Sequence, residues 1–324
     1  MQHKALLALG AAAVAAIALT GCTTSGSPAG GETPSDPDSL VLALVPSQDQ
    51  NTLVDTAKPL TDMLTEALGI PVSGVVSKDY GAAVEAMGAD QAQIGFLPSL
   101  QLWQASDKYG AKVVLQTDRN GAISYAAQFM TNNPDKYCSD TPQPDKNGML
   151  FCNGTASGQG PAGLDAVKKI TDGVKVAELG AGSPAGYIYP VLALKNAGIN
   201  TDSDISAVPV TGNDTSVLAV YNGDAEVGFS FWDARTIVTK DKPDVGQKVV
   251  VFALTDMIPN DGVAVSGKLS PALQDKITKA LEDYSNTEEG SKELQAIYSI
   301  TKLSPADPSS LDVVADAASK LGLQ

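Results

Sequence analysis

Two short stretches carry residue types that could do chemistry. "GAGSPAGYIYP" (180–190) places Ser183 and Pro184 where an apolar segment gives way to a helical pattern. Ser183 reads as an N-cap, and Pro184 as the first helical residue, where a missing N–H costs nothing. The same glycine-flanked helix start offers unpaired backbone N–H groups and the positive end of a dipole, which suits an anion. "FSFWDAR" (229–235) sets Phe231 and Trp232 beside Asp233. An aromatic face next to a carboxylate suits an ammonium group, at roughly 0.5–2 kcal/mol per cation–π contact. Tyr80, Tyr125 and Tyr187 are candidates for the same cleft. Alternation alone also sends one of Phe231 and Trp232 into the core, and Arg235 is near enough to neutralise Asp233.

Other chemistries are excluded by what the mature chain lacks. A short basic start (His3, Lys4), an apolar run over 5–19 and small residues before Cys22 form a bacterial lipoprotein signal. We expect a signal peptide over 1–21, a lipid on Cys22 and a flexible Ser/Pro/Gly/Asp-rich tether over 22–39. Cleavage removes His3, the only histidine, leaving no imidazole for base catalysis or metal ligation. Cys138 and Cys152 are expected to pair as a disulfide in an oxidising compartment, contributing about 3 kcal/mol if unstrained. No metal or cofactor is implied. One catalytic route stays open, a carboxylate pair such as Asp233 and Asp261 as acid and base, and no motif supports it. The net charge is −15, or −16 once Lys4 is lost, with no basic patch, which argues against nucleic acid and anionic lipid headgroups as partners.

These residues need elements to hold them. From Leu40 onward strands and helices alternate: strand 40–45, helix 51–68, strand 72–76, helix from Tyr80, strand 93–97, helix 98–109, strands 112–116 and 123–130. After a loop-rich insertion (133–160) come helix 163–171, strand 174–179, helix 184–197, strand 205–210, helix 214–222 and strand 225–231. Another helix, strands 248–254 and 262–266 and three amphipathic helices close the chain. This predicts α/β domains with largely parallel sheets. "AVEAMGADQAQIGFLP" (83–98) and "LAVYNGDAEVGFSFW" (218–232) share a layout, a helix, an acidic turn, then a short strand with Gly-Phe. Two similarly built lobes would put Phe96–Pro98 and Ser230–Asp233 on opposite sides of one cleft, beyond the carboxyl ends of their strands.

The body, roughly 40–324, resembles the phosphonate/phosphite/phosphate-type substrate-binding proteins of ABC importers, which are two-lobed type II periplasmic binding proteins. The resemblance rests on "LVLALVPSQD" (40–49), "KDYGAAVEAM" (78–87), "DQAQIGFLPS" (90–99) and "GSPAGYIYP" (182–190). It continues through "AVYNGDAEVGF" (219–229), "IPNDGVAVS" (258–266) and the C-terminal "AIYSITKLSPADPSSLDVVADAASKLGL". It implies that Tyr80 and Tyr125 point hydroxyls into the cleft. Ser183, Pro184, Ala185 and Gly186 match a helix start that usually reads Ser-Thr-Ser-Gly and cradles an oxyanion. Asn213 stands where the family usually has histidine, Asp233 at an acidic position that neutralises a ligand amine, and Asp261 at a second acidic position. Pro184 and Ala185 remove two hydroxyls and one N–H from the cradle, and Asn213 can donate but carries no charge.

The resemblance implies lobe 1 from 40–125 plus 256–324 and lobe 2 from 126–255, closing by hinge motion at crossings near 123–130 and 254–262. The expected protein is no enzyme. It is a monomeric, lipid-anchored solute receptor on the extracellular face of the cytoplasmic membrane, handing a small oxyanion to an ABC permease and its ATPase. The alternatives are a zwitterionic or quaternary-amine ligand, and a surface lipoprotein without transport function.

Overall fold

The alternating pattern becomes two mixed sheets with helices on their faces. The computed structural model describes residues 36–47, 50–171 and 173–323, so the signal peptide, Cys22 and most of the tether lie outside the described residues. The strands are β1 (Leu40–Leu44), β2 (Val72–Val76), β3 (Ile94–Leu97), β4 (Lys112–Asp118), β5 (Ser124–Thr131), β6 (Gln143–Pro144) and β7 (Leu150–Phe151). After them come β8 (Val174–Glu178), β9 (Ile205–Pro209), β10 (Val227–Phe231), β11 (Val250–Pro259), β12 (Gly262–Val265) and β13 (Lys302–Pro305). The first sheet runs β13-β4-β12-β3-β1-β2 and the second β6-β7-β11-β5-β10-β8-β9.

The expectation of largely parallel sheets does not hold. β1 is parallel to β2 and β3, and β8 to β9 and β10, but β12 is antiparallel to β3 and β4, and β5 to β10 and β11. The cause is connectivity. The chain leaves the first sheet after β4, enters the second as β5, and comes back along β11 into β12. An outgoing and a returning strand side by side must run oppositely, whatever the parallel units around them do. The two crossings are tied together: Asn260 donates its N–H to the Ile123 carbonyl (3.0 Å) and its side-chain amide to the carbonyls of Thr117 (2.8 Å) and Ala122 (2.9 Å).

Each sheet has its own apolar core. The helix Gln50–Leu68 buries Leu53, Leu60 and Leu64 against Leu40, Leu42 and Leu44 of β1, with Met63 and Leu68 half-buried at the margin. Fully burying one such side chain contributes about 1.5–3 kcal/mol. On the second sheet Phe129, Phe229 and Phe252 pack edge to face or tilted, at centroid separations of 5.0 and 6.0 Å. The three C-terminal helices form as Pro271–Ser285, Glu288–Tyr298 and Asp312–Lys320, with β13 between the last two. At four residues, β13 is too short to leave a period in the sequence.

The insertion is loop-rich, as expected, and is fastened to the second sheet at several points. Cys138 and Cys152 are disulfide-bonded with Cα atoms 5.7 Å apart, β6 and β7 pair as a small antiparallel ribbon, and β7 lies parallel to β11 with Phe151 opposite Val251. Phe151 is thereby fixed to the edge of the second sheet.

Candidate functional site

The carboxyl ends of β3 and β10 open on one cavity of about 380 Å³, lined by Phe96, Leu97 and Pro98 from one sheet and Phe231, Trp232 and Asp233 from the other. Ser230, expected at the same wall, is instead buried and accepts the Gln128 side-chain amide (2.9 Å). The repeat of helix, acidic turn and Gly-Phe strand in the sequence thus marks two strand ends facing one space.

Ser183 holds the helix start as an N-cap should. Its Oγ accepts the Gly186 N–H (3.0 Å), and its carbonyl accepts the N–H groups of Tyr187 and Ile188. The expected single helix over 184–197 begins instead as a π-turn, Pro184–Ile188, and becomes α-helical over Tyr189–Asn196. That wider turn keeps Ser183 buried at the cavity, beside Tyr80. Gly182 is required for this approach: a Cβ there would fall 2.7 Å from the Tyr80 Cβ. Tyr80 opens the helix Tyr80–Gly88, whose N-cap Asp79 accepts the Ala82 N–H (2.7 Å).

Three contacts span the space between the sheets at this end. The Gln101 amide donates to the Gly182 carbonyl (2.9 Å), and Asn213 donates its N–H and its side-chain amide to the Ser47 carbonyl, both at 3.1 Å. The Asn213 side-chain Oδ1 accepts the Phe231 N–H (3.3 Å). Burial pushes the Tyr80 hydroxyl up to about 12, with Ser183 lowering it and the Asp261 charge raising it, and burial and Asp261 push Tyr125 well up too. Both phenols remain protonated donors across the physiological range.

Of the residues picked out from sequence, Tyr80, Tyr125, Ser183, Ala185, Asn213, Trp232, Asp233 and Asp261 line the cavity; Gly186 and Tyr187 do not. Gly186 is buried behind the cradle, where a Cβ would strike Leu179 at 2.7 Å, and the wider π-turn places Tyr187 half-buried beside Glu178. Asp233 lines the wall but is already engaged. Its Oδ1 accepts Arg235 Nε (2.8 Å) and Oδ2 accepts Nη2 (2.7 Å), so the counter-ion role for a ligand amine gives way to an internal pair.

Arg119 is the residue sequence reasoning passed over. It is the one cationic side chain lining the cavity among the described residues, and donates to Asp261 Oδ2 (2.5 Å), Thr117 Oγ1 (3.0 Å) and the Tyr298 carbonyl (3.1 Å). The signal was present: the whole chain has two arginines, Arg119 and Arg235, against twenty lysines. Both are aspartate-paired at this cavity. Among the described residues no cluster of three or more His, Cys, Asp or Glu could hold a metal ion.

Two mixed sheets joined by paired crossings, with a cavity beyond the strand ends between them, define a two-lobed solute-binding protein of the periplasmic type. A model of the family described as "ABC transporter, phosphonate, periplasmic substrate-binding protein" matches residues 42–311, and the chain belongs to that family, whose members are solute-binding components of transporters and not enzymes. The chain is 27% identical over 289 residues to the phosphate-import protein PhnD of Mycolicibacterium smegmatis, covering 85% of this chain and 80% of that protein. Among solved structures it is similar to a binding protein component of an ABC phosphonate transporter from Pseudomonas aeruginosa (TM-score 0.72, 16% identity, 87% of this chain and 86% of that one). It is also similar to PhnD1 from Prochlorococcus marinus in complex with methylphosphonate (TM-score 0.73, 14% identity, 89% and 100% covered). At these identities the structural matches speak to the fold.

Proposed function

We propose that this chain captures a small oxyanion (a phosphonate, phosphite or phosphate) in the cavity between its sheets and delivers it to an ABC permease. The observation that carries the reading is the convergence of neutral donors at one end. Tyr80, Tyr125, Ser47, Ser183 and Asn213 line that end with Pro184 and Ala185 of the helix start and Arg119. Such a set stabilises negative charge by oriented hydrogen bonds, each worth roughly 1.5–3 kcal/mol when charge-assisted. The amine reading loses support, because Arg235 already neutralises the Asp233 carboxylate it needed.

Delivery follows from hinge closure about the paired crossings, with Gln101–Gly182 and Ser47–Asn213 forming as the walls meet. Among the described residues no helix is long and apolar enough to cross a membrane, and we assign attachment to a lipid on Cys22. Cys22→Ser is expected to move the protein from the membrane fraction to the soluble one.

The test is isothermal titration of the body from residue 36 with phosphate, phosphite and methylphosphonate, alongside choline and betaine. Ser183→Ala should weaken the oxyanion by about tenfold, the worth of one good hydrogen bond. Unchanged affinity would return Ser183 to capping alone, and binding confined to the amines would sink the oxyanion reading.

A further inference from the structure

The cavity is larger than its oxyanion end needs. At about 30 Å³ of liquid per water, 380 Å³ is room for roughly a dozen waters, whereas a five-atom oxyanion displaces only about three. The volume lies in the range that organic ligands occupy, about 300–1,000 Å³. What lines the remainder differs in kind from the donor end. Met149 and Phe151 of the disulfide-tied insertion, with Phe231 and Trp232 from the end of β10, supply its apolar face, and the same insertion adds the polar Asn147, Ser157 and Gln159 at the margin. Phe151 and Trp232 stand 6.2 Å apart between ring centroids, at 37°.

This wall is built to stay in place. Gly158 lies against the indole so closely that a Cβ would fall 2.7 Å from the ring, and its φ of +69° is a conformation glycine adopts freely. Behind Phe151 the Arg235 guanidinium sits 4.5 Å from the ring centroid. It donates to the carbonyls of Leu150 (2.8 Å) and Val249 (2.6 Å), joining insertion to sheet. At this end Asp233 is neutralised by Arg235, while Asp145 is held by the N–H groups of Asn147 and Met149, both at 2.8 Å, and keeps its own negative charge. A rigid aromatic and thioether wall, with Asp233 already neutralised and Asp145 negative, favours an apolar group over a second anion.

We propose that this compartment takes the carbon substituent of an organophosphonate or phosphate monoester, apolar and about the size of a benzene ring, which an apolar space of about 150 Å³ is enough to hold. The proposal rests on the oxyanion reading above and names the ligand class within it. The insertion then acts as a specificity element, its disulfide holding Phe151 in register with Val251 of β11.

The experiment is titration calorimetry of the same body with inorganic phosphate, methylphosphonate and phenylphosphonate. Phenylphosphonate should bind at least about tenfold more tightly than methylphosphonate, equivalent to about 1.4 kcal/mol. In Phe151→Leu, which keeps an apolar side chain on β7, the ratio of the two affinities should fall toward one. Equal affinities in the wild-type protein, or weaker binding of the phenyl compound, would overturn the proposal while leaving the oxyanion reading intact. Binding of none of the three would overturn both.

Discussion

The two arginines of this chain make the same bond in different surroundings. Arg235 grips Asp233 with both arms of its fork, and the side chains are 0% and 8% exposed. Arg119 meets Asp261 through one nitrogen, and the side chains keep 23% and 22% of their exposure. The first pair is sealed into the wall and joins the insertion to the second sheet through Leu150 and Val249. The second sits at the crossings, spends its remaining donors on Thr117 and Tyr298, and borders the donor end of the cavity. Burial decides which pair is architecture and which can answer a ligand. A charge out of water cannot change partners without a large desolvation cost, and one still in contact with water can.

The largest test of that contrast is Asp233→Asn. It leaves the Arg235 charge buried and unpaired, and unfolding in urea should show a loss of about 3–5 kcal/mol. The double variant Asp233→Asn with Arg235→Met removes the stranded charge and should recover much of that loss. A single variant within about 1 kcal/mol of wild type would mean that water reaches Arg235, and the contrast between the pairs would collapse.

Asp261→Asn should behave otherwise. Stability should change by less than about 1 kcal/mol, as for partly exposed pairs. The freed guanidinium arm is then available to an oxyanion, so phosphate affinity should rise about fivefold, with a steeper dependence on ionic strength than the wild type shows. A fall in affinity would identify Asp261 as a ligand contact in its own right, as its acidic position in the family pattern first suggested.

Much of this arrangement was legible in the sequence, and what was not has physical reasons. The alternation of strand and helix periods located the elements, and the Gly-Phe repeat located two strand ends on one cavity, because both are local patterns. Ser183 was legible as a cap for the same reason. The partners of Asp261 and Asn213 were not, since Arg119 lies 142 positions from Asp261, and the Ser47 carbonyl that receives Asn213 lies 166 positions away. Tyr187 and Gly186 were misplaced because a helix start was read as α-helical throughout. The π-turn at Pro184–Ile188 changes which residues of the first turn face the cavity. The antiparallel strands were missed because sheet direction depends on where the chain crosses, which hydrophobic periodicity does not record.

A third pair extends the comparison toward solvent and gives its smallest effect. Lys136 donates to Glu226 Oε1 (2.8 Å) with side chains 34% and 31% exposed, and the Tyr137 hydroxyl donates to the same oxygen (2.6 Å). Partial burial works to raise this carboxyl, but the hydrogen bonds from Lys136 and Tyr137 outweigh it and leave it below the ordinary value. A carboxylate held down in the folded state contributes stability above its unfolded pKa, about 4.3, and loses it as pH falls through the lower folded value. Glu226→Gln should therefore cost less than about 1 kcal/mol at pH 7. The difference from wild type should shrink as denaturation is repeated at pH values falling through that lowered folded value, below which both forms are uncharged at this position. A difference that persisted unchanged into acid would mean that the neutral hydrogen bond from Tyr137, stacked 4.6 Å from Phe252, holds this corner without the charge. Exposure alone would then no longer rank the three pairs, because the hydroxyl would count for more than the ammonium beside it.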